Sequence, residues 1–273
     1  QAEDGIRDFC LSRGLGDVYK RQIKNLVMTT IGMFLIVGTT KAFAAPLMLS
    51  TSDNVGISFW LISMAMVAST AFFFLERDNV AAKWKTSMTI AGLVTGVAAW
   101  HYFYMRGVWI ATGDSPTVLR YIDWLITVPL QIIEFYVILA AVTTVAAALF
   151  WRLLVASLVM LVFGYLGEAG IMNAMPAFII GMAGWLYILY EIFAGEASQA
   201  NAGSGNAAGQ QAFRALCLIV TIGWAIYPLG YAIGYFGGGV DAASLNLIYN
   251  LADFVNKIAF GMAIYVAAVS DSN

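Results

Sequence analysis

An all-α bundle of seven transmembrane helices is predicted by three features of this chain. Of its 273 residues, 61% are apolar and only 11% charged, against ~45–50% and ~25% in soluble domains; the mean hydropathy is +0.79. Beyond residue 50 the apolar residues gather into seven long stretches, each able to cross a ~30 Å hydrocarbon layer at about 1.5 Å per residue. Their spacing is helical, unlike the alternation of ~ten-residue strands in a membrane barrel. The same composition excludes other classes. A net charge of −2 gives no basic face for nucleic acid. One histidine and two distant cysteines, Cys10 and Cys217, supply neither a zinc site nor a disulfide framework.

Residues 1–22 carry four basic and four acidic side chains and are unlike everything that follows. They read as a remnant of cloning or sequence assembly and are set aside. Lys20, Arg21 and Lys24 then precede an apolar run over 25–40 and the small-residue pattern Ala42-Phe43-Ala44. That order predicts a cleavable signal peptide over 23–44, with a retained first helix as the alternative. The domain proper is 45–273, with spans expected at 55–75, 86–105, 117–142, 146–167, 171–190, 215–236 and 245–269. Asp114-Ser115-Pro116 is expected to cap and open the third span. The Gly/Ala/Ser/Asn-rich stretch 195–210 reads as a flexible loop, and the glycine run 237–239 as a turn.

Connecting segments set the orientation. Arg77, Lys83, Lys85, Arg152 and Arg214 fall on one side, and only Arg106 on the other. Cytoplasmic loops collect Lys and Arg, so the mature N-terminus is expected outside and the C-terminus inside.

Ionisable groups remain within the spans, where each cation costs ~2.5–3.5 kcal/mol and signals function. They are Arg120, Asp123 and Glu134 on the third span, and Asp253 and Lys257 on the seventh. Asp253 precedes Lys257 by one turn, and Arg120 and Asp123 form an i, i+3 pair. These four sum to zero charge, which an apolar interior tolerates if the two helices face each other. Glu134 follows Asp123 by 11 residues, about 16.5 Å further along the helix and about 20° off the same face. With no cation nearby, desolvation favours its neutral form. The order is an inner carboxylic acid, a central lysine and an outer carboxylate pair, which reads as a proton path. An ordinary structural ion pair is the alternative, but it leaves Glu134 unexplained.

The motifs LADFVNK (251–257) and RYIDWLITVPLQIIEF (120–135), with WHYFYMRGVW (100–109), GWAIYPLGY (223–231) and GEAGIM (167–172), resemble the microbial rhodopsins over nearly all of 53–270. The resemblance implies that fold and all-trans-retinal on Lys257 as a Schiff base. It implies Asp123 as counterion and proton acceptor, Asp253 as second counterion, Arg120 organising the outer side, and Glu134 as cytoplasmic donor. Asp123, Thr127 and Glu134 match the acidic–Thr–acidic signature of the family's proton pumps. Trp124, Thr127, Met160, Trp185, Trp224, Tyr227 and Pro228 would line the retinal pocket, with Pro228 a possible hinge in its helix. The implied activity is light-driven outward proton transport in the bacterial inner membrane, a transporter rather than an enzyme. A photosensory rhodopsin signalling through a partner is the alternative.

His101 is either a satisfied core residue or, as the resemblance implies, a hydrogen-bond partner of Asp123 that makes pumping pH-dependent. The resemblance also places Trp60 and His101 near the interface of a homo-oligomer of five or six copies. Gln131, eight residues beyond Asp123, is either an interhelical hydrogen-bonding group or the colour-tuning position near the ring end of retinal. Family members with Gln there absorb blue light and those with Leu green, so a blue-absorbing form is expected.

Overall fold

The computed structural model describes residues 49–237 and 241–272. The expected remnant (1–22), the expected signal peptide (23–44) and Gly238 and Gly239 of the expected turn lie outside the described residues.

Seven helical spans run through the described domain. They are α1 (Asn54–Glu76), α2 (Lys85–Thr112), α3 (Thr117–Val142), α4 (Ala147–Glu168) and α5 (Ala174–Phe193), then, after a short α6 (Glu196–Gly203), a composite sixth span and a last helix. The sixth span is α7 (Ala207–Leu218) carried through a π turn (Ile219–Gly223) into α8 (Ile226–Phe236); the last is α9 (Ala242–Ser270). Six of these spans are long and apolar enough by themselves to cross a membrane. The exception is α2, whose apolar run is diluted by Trp100, His101, Tyr102 and Tyr104. Large apolar side chains face outward all round: Leu61, Ile222, Leu229 and Leu251 are each at least 60% exposed. Such a surface is a liability in water and a requirement in lipid. The chain is a multi-pass membrane protein.

Successive helices pack side by side, and α9 returns to contact α1, α2, α7 and α8, closing the ring. Lys257, near the midpoint of α9, is thereby delivered to the bundle interior. Glycines permit a close approach between α4 and α5. A Cβ on Gly184 would lie 2.8 Å from the Ala156 carbonyl oxygen.

The structure corrects three local expectations. Asp114-Ser115-Pro116 precedes α3, but no side chain caps that helix; the turn is closed by backbone bonds from Thr117 to Ser115 and from Arg120 to Pro116. The stretch 195–210 is largely helical. Arg152 clamps its start, bonding Glu191 at 2.9 Å and Glu196 at 2.6 Å, while Ala197 is buried. Arg106 belongs to no loop: it is buried within α2, its guanidinium 5.4 Å from the Trp60 ring centre.

The sixth span breaks before Pro228, not at it. Proline lacks an N–H and its ring crowds the preceding turn, and the chain answers by widening that turn. Trp224 N reaches back five residues to Ile219 O, and Tyr227 N bonds Trp224 O. Two carbonyls are left over, and side chains from other helices take both: Trp185 Nε1 donates to Val220 O at 3.1 Å, and Asn256 Nδ2 to Gly223 O at 2.9 Å. Residue 223 has no room for a side chain, since a Cβ there would collide with the Asn256 amide.

At the end of the bundle bearing Lys83 and Arg152, Asp271 ties three segments together. It accepts from Lys83 at 2.5 Å, Trp84 Nε1 at 2.8 Å and Asn206 Nδ2 at 2.7 Å.

Candidate functional site

The centre of the bundle is a buried lysine between two buried carboxylates. Lys257 Nζ lies 2.8 Å from Asp123 Oδ2 and 2.9 Å from Asp253 Oδ2, with the lysine side chain 2% exposed and both aspartates fully buried. Helix periodicity explains the two contacts: Asp253 is one turn before Lys257 on α9, while Asp123 comes from the facing α3. A single buried charge would be untenable, and here each carboxylate has the ammonium within 3 Å of it.

The two aspartates are held very differently. Asp253 receives Tyr102 Oη at 2.8 Å and Tyr227 Oη at 2.6 Å, besides Trp124 Nε1 at 3.2 Å. Both its oxygens are saturated. Asp123 has Lys257 on Oδ2, and its Oδ1 has no hydrogen-bond partner. Of the two carboxylates that touch Lys257, Asp123 is the one with an open oxygen.

His101 adjoins this open oxygen without bonding it. Its Nδ1 is 3.8 Å from Asp123 Oδ1 and is engaged by the Val97 carbonyl at 2.9 Å. The expected hydrogen bond is therefore replaced by a close electrostatic approach, because the ring is anchored on its own helix one turn back. Arg120 also departs from expectation. It pairs with neither carboxylate; its Nη2 donates to Asn246 Oδ1 at 2.6 Å and Asn250 Oδ1 at 2.7 Å. Its guanidinium lies between the rings of Phe59 and Tyr249, at 5.4 Å and 5.5 Å. The neutral four-charge cluster is thus a three-charge cluster with Arg120 one turn further out. Its side chain lies along the asparagines of α9, away from Lys257.

On the far side of Lys257, Glu134 is fully buried and neither of its oxygens has a hydrogen-bond partner. The hydroxyl of Ser87 on α2, also buried, is turned toward it without a bond of ordinary geometry. Apolar core residues dominate this half, among them Met88, Ile138, Phe260 and Ile264.

Beside the cluster opens a pocket of ≈ 700 Å³, including its mouth, between α3, α4, α5 and the sixth span. Trp124, Met160, Trp185, Trp224, Tyr227 and Pro228, all expected there, line it. Lys257, Thr127 and Gln131 do not. Lys257 is drawn to its carboxylates, and the Thr127 hydroxyl is turned back to the Asp123 carbonyl at 3.0 Å. Gln131 sits at the lysine end, its Nε2 donating to the carbonyl of Asn256 at 3.4 Å. Gln131 lies eight residues, about 12 Å, inward of Asp123 along α3.

Several site residues escaped the sequence reading: Tyr102, Asn246, Asn250 and Asn256, and the pocket residues Tyr121 and Glu168. The asparagines left a usable signal. Asn246, Asn250, Asp253 and Lys257 follow each other by four, three and four residues, the spacing of one helix face. Tyr102 left none, because a tyrosine within an aromatic run looks like ordinary packing.

Residues 53–270 match the family model described as bacteriorhodopsin-like protein. The chain is 61% identical over 227 residues to the blue-light absorbing proteorhodopsin of Gamma-proteobacterium Hot 75m4, covering 82% of this chain and 90% of that one. It is 63% identical over 226 residues to the green-light absorbing proteorhodopsin of Gamma-proteobacterium EBAC31A08, with the same coverage. Among solved structures it is similar to the blue light-absorbing proteorhodopsin from Med12, at 61% identity and a TM-score of 0.71, covering 80% of this chain and 100% of that one. On this match across the whole helical domain, the chain belongs to the bacteriorhodopsin-like protein family, among the proteorhodopsins.

Proposed function

We propose that the protein is a light-driven proton pump that carries all-trans-retinal on Lys257 and moves protons outward across a bacterial inner membrane. The observation that carries this reading is the unequal flanking of Lys257: an open carboxylate oxygen on Asp123 to one side, and an unpartnered buried carboxyl, Glu134, to the other. The residues suit the cofactor. A long apolar aldehyde needs an aromatic slot near a buried amine. Although Lys257 itself is drawn to its carboxylates, Trp124 and Tyr227, which bond its partner Asp253, line the apolar pocket. Bound retinal supplies the photochemistry: light isomerises its polyene and changes the direction and strength with which the lysine nitrogen holds its proton.

The residues do the rest. Asp123 takes the proton at Oδ1 or Oδ2, while Asp253, saturated by Tyr102, Tyr227 and Trp124, stays an anion and holds the geometry. Glu134, in apolar surroundings, keeps a proton until the centre has lost its own and then supplies it. Direction follows from having acceptor and donor on opposite sides of Lys257. The excess of Lys and Arg on the Glu134 side makes that side cytoplasmic. Carrying one charge against 100 mV needs only ~2.3 kcal/mol, a small part of a visible photon's energy.

Gln131 places an amide dipole at the Lys257 end, where positive charge is concentrated before excitation. That supports a blue-absorbing form. His101, beside Asp123 Oδ1, supports a pump whose output changes with pH. We also assign the protein to rings of five or six copies, with Trp60 and His101 toward the interface.

Glu134 favours pumping over photosensing, since signalling requires no refill acid. The test is a spectrum of the full chain with all-trans-retinal across pH, followed by illumination of cells in unbuffered medium. A visible band that borohydride fixes to Lys257, with acidification abolished by an uncoupler, is the expected result. A colourless protein overturns the reading, and a coloured one without acidification leaves photosensing.

A further inference from the structure

Besides the pocket next to the lysine cluster, the domain carries a groove on its lipid-facing surface, between α4 and α5, of ≈ 780 Å³ including its open side. Trp151, Arg152, Val155 and Val159 of α4 and Gly184 and Tyr187 of α5 line it. The floor is deep because small residues meet there: a Cβ on Gly184 would lie 2.8 Å from the Ala156 carbonyl oxygen. Trp151 and Val155 are 61% and 55% exposed, so the groove opens toward lipid. From Trp151 to Val159 it follows eight residues of α4, about 12 Å, against about 15 Å for the hydrocarbon of one leaflet. An acyl chain fills such a slot favourably, since an empty one forfeits the contacts of every atom that lines it.

One end of the groove is polar. Arg152 is there with Trp151 and Tyr187, and tryptophan and tyrosine gather where hydrocarbon gives way to head groups. Two nitrogens of Arg152 are engaged by the protein, Nε by Glu191 at 2.9 Å and Nη2 by Glu196 at 2.6 Å. Its Nη1 has no hydrogen-bond partner among the described residues. Glu191 is saturated: besides Arg152 it accepts the Tyr187 hydroxyl at 2.9 Å and the Glu196 backbone N–H at 3.1 Å. Glu196 is different. Its side chain is 38% exposed and meets Arg152 through Oε2 alone. What remains at this end is one guanidinium donor beside one carboxylate acceptor. One positive and two negative formal charges leave the cluster at −1.

We propose that this groove binds an amine-bearing phospholipid of the phosphatidylethanolamine class. Its acyl chain lies along Val155, Val159 and Gly184, its phosphate accepts from Arg152 Nη1, and its ammonium donates to Glu196. The bond between guanidinium and phosphate is charge-assisted, and the ammonium offsets the excess negative charge of the cluster. A lipid of net negative charge brings like charge to a cluster that is already negative. A choline head group has no N–H to donate. Glu196 therefore selects the head group, and the slot between the helices retains the chain. The site needs only the membrane-spanning fold and is independent of any transport reading.

The test is native mass spectrometry of the full chain, released from detergent after incubation with equal amounts of phosphatidylethanolamine, phosphatidylglycerol and phosphatidylcholine. One phosphatidylethanolamine per chain is expected, retained about tenfold over either competitor, the ratio that one charge-assisted hydrogen bond supplies. Glu196→Gln keeps an oxygen for Arg152 and removes the charge. It is expected to erase the preference over phosphatidylcholine and to raise binding of phosphatidylglycerol. Val155→Trp fills the slot from an exposed position and is expected to remove the retained lipid whatever its head group. If Glu196→Gln yields no folded protein, Val155→Trp is read with thermal melts in vesicles. There phosphatidylethanolamine is expected to raise the melting temperature of the wild-type chain over that in phosphatidylcholine, and not that of the variant. Equal retention of the three lipids by the wild-type chain overturns the proposal, as does a preference unaltered by Glu196→Gln or retention unaltered by Val155→Trp. A dimer of the chain that Val155→Trp abolishes overturns it too, because a second copy then occupies the groove.

Discussion

The two carboxyl groups that α3 carries on either side of Lys257 sit in opposite surroundings. On the Arg120 side of Lys257, Asp123 is followed by two hydrogen-bonded groups, Asp253 with Tyr102 and Tyr227, and Arg120 with Asn246 and Asn250, their bonds 2.6–2.8 Å long. Toward the inner side, Glu134 meets Ser87 and then apolar packing. On the proposed function, the polar half would carry a proton and the apolar half would insulate one, and that asymmetry would give the transport its direction.

The largest effect that would break this comparison comes from its pivot. Lys257→Ala is expected to abolish the visible band entirely, leaving protein that absorbs only in the ultraviolet. Next are the two carboxyls. Asp123→Asn should eliminate net transport. Glu134→Gln should leave the first transfer intact and slow recovery by about 10²-fold. That recovery should slow further as pH rises, because the refill proton then comes from bulk water; flash photolysis between pH 6 and 9 measures it. A recovery independent of pH would remove Glu134 from its role. His101→Asn should move the pH at which the band changes colour, as read in a spectral titration. Gln131→Leu should shift the band to longer wavelength with transport retained.

The smallest effect lies at the bundle's end. Partial burial pushes the Asp271 carboxyl up, but bonds from Lys83, Asn206 and Trp84 hold it below the usual carboxylate range. A lowered folded-state value stabilises the protein above the unfolded value, and that contribution disappears as pH falls through the folded one. Asp271→Asn should therefore cost about 1 kcal/mol at neutral pH. Thermal melts should show the deficit shrinking in acid below about pH 4.

Much of this was legible without coordinates. The seven spans were, because lipid demands long apolar stretches that no other pressure produces. So was the order Glu134, Lys257, Asp123, because helix rise converts residue number into depth. The π turn ahead of Pro228 was not. It depends on Trp185 and Asn256 arriving from other helices to take the carbonyls it releases. The clamped helix α6 was hidden for the same reason, since its composition reads as a loop until Arg152 is seen holding Glu196.

The chain by itself determined how many spans its described domain has, which charges lie within them and at what depth, because hydrophobicity and helical rise are properties of local sequence. Only the tertiary structure decided which of two aspartates keeps an open oxygen, where Arg120 points, and which backbone carbonyl Gln131 reaches. Those outcomes depend on hydrogen-bond donors supplied by other helices, and a one-dimensional pattern does not say which donor reaches which acceptor.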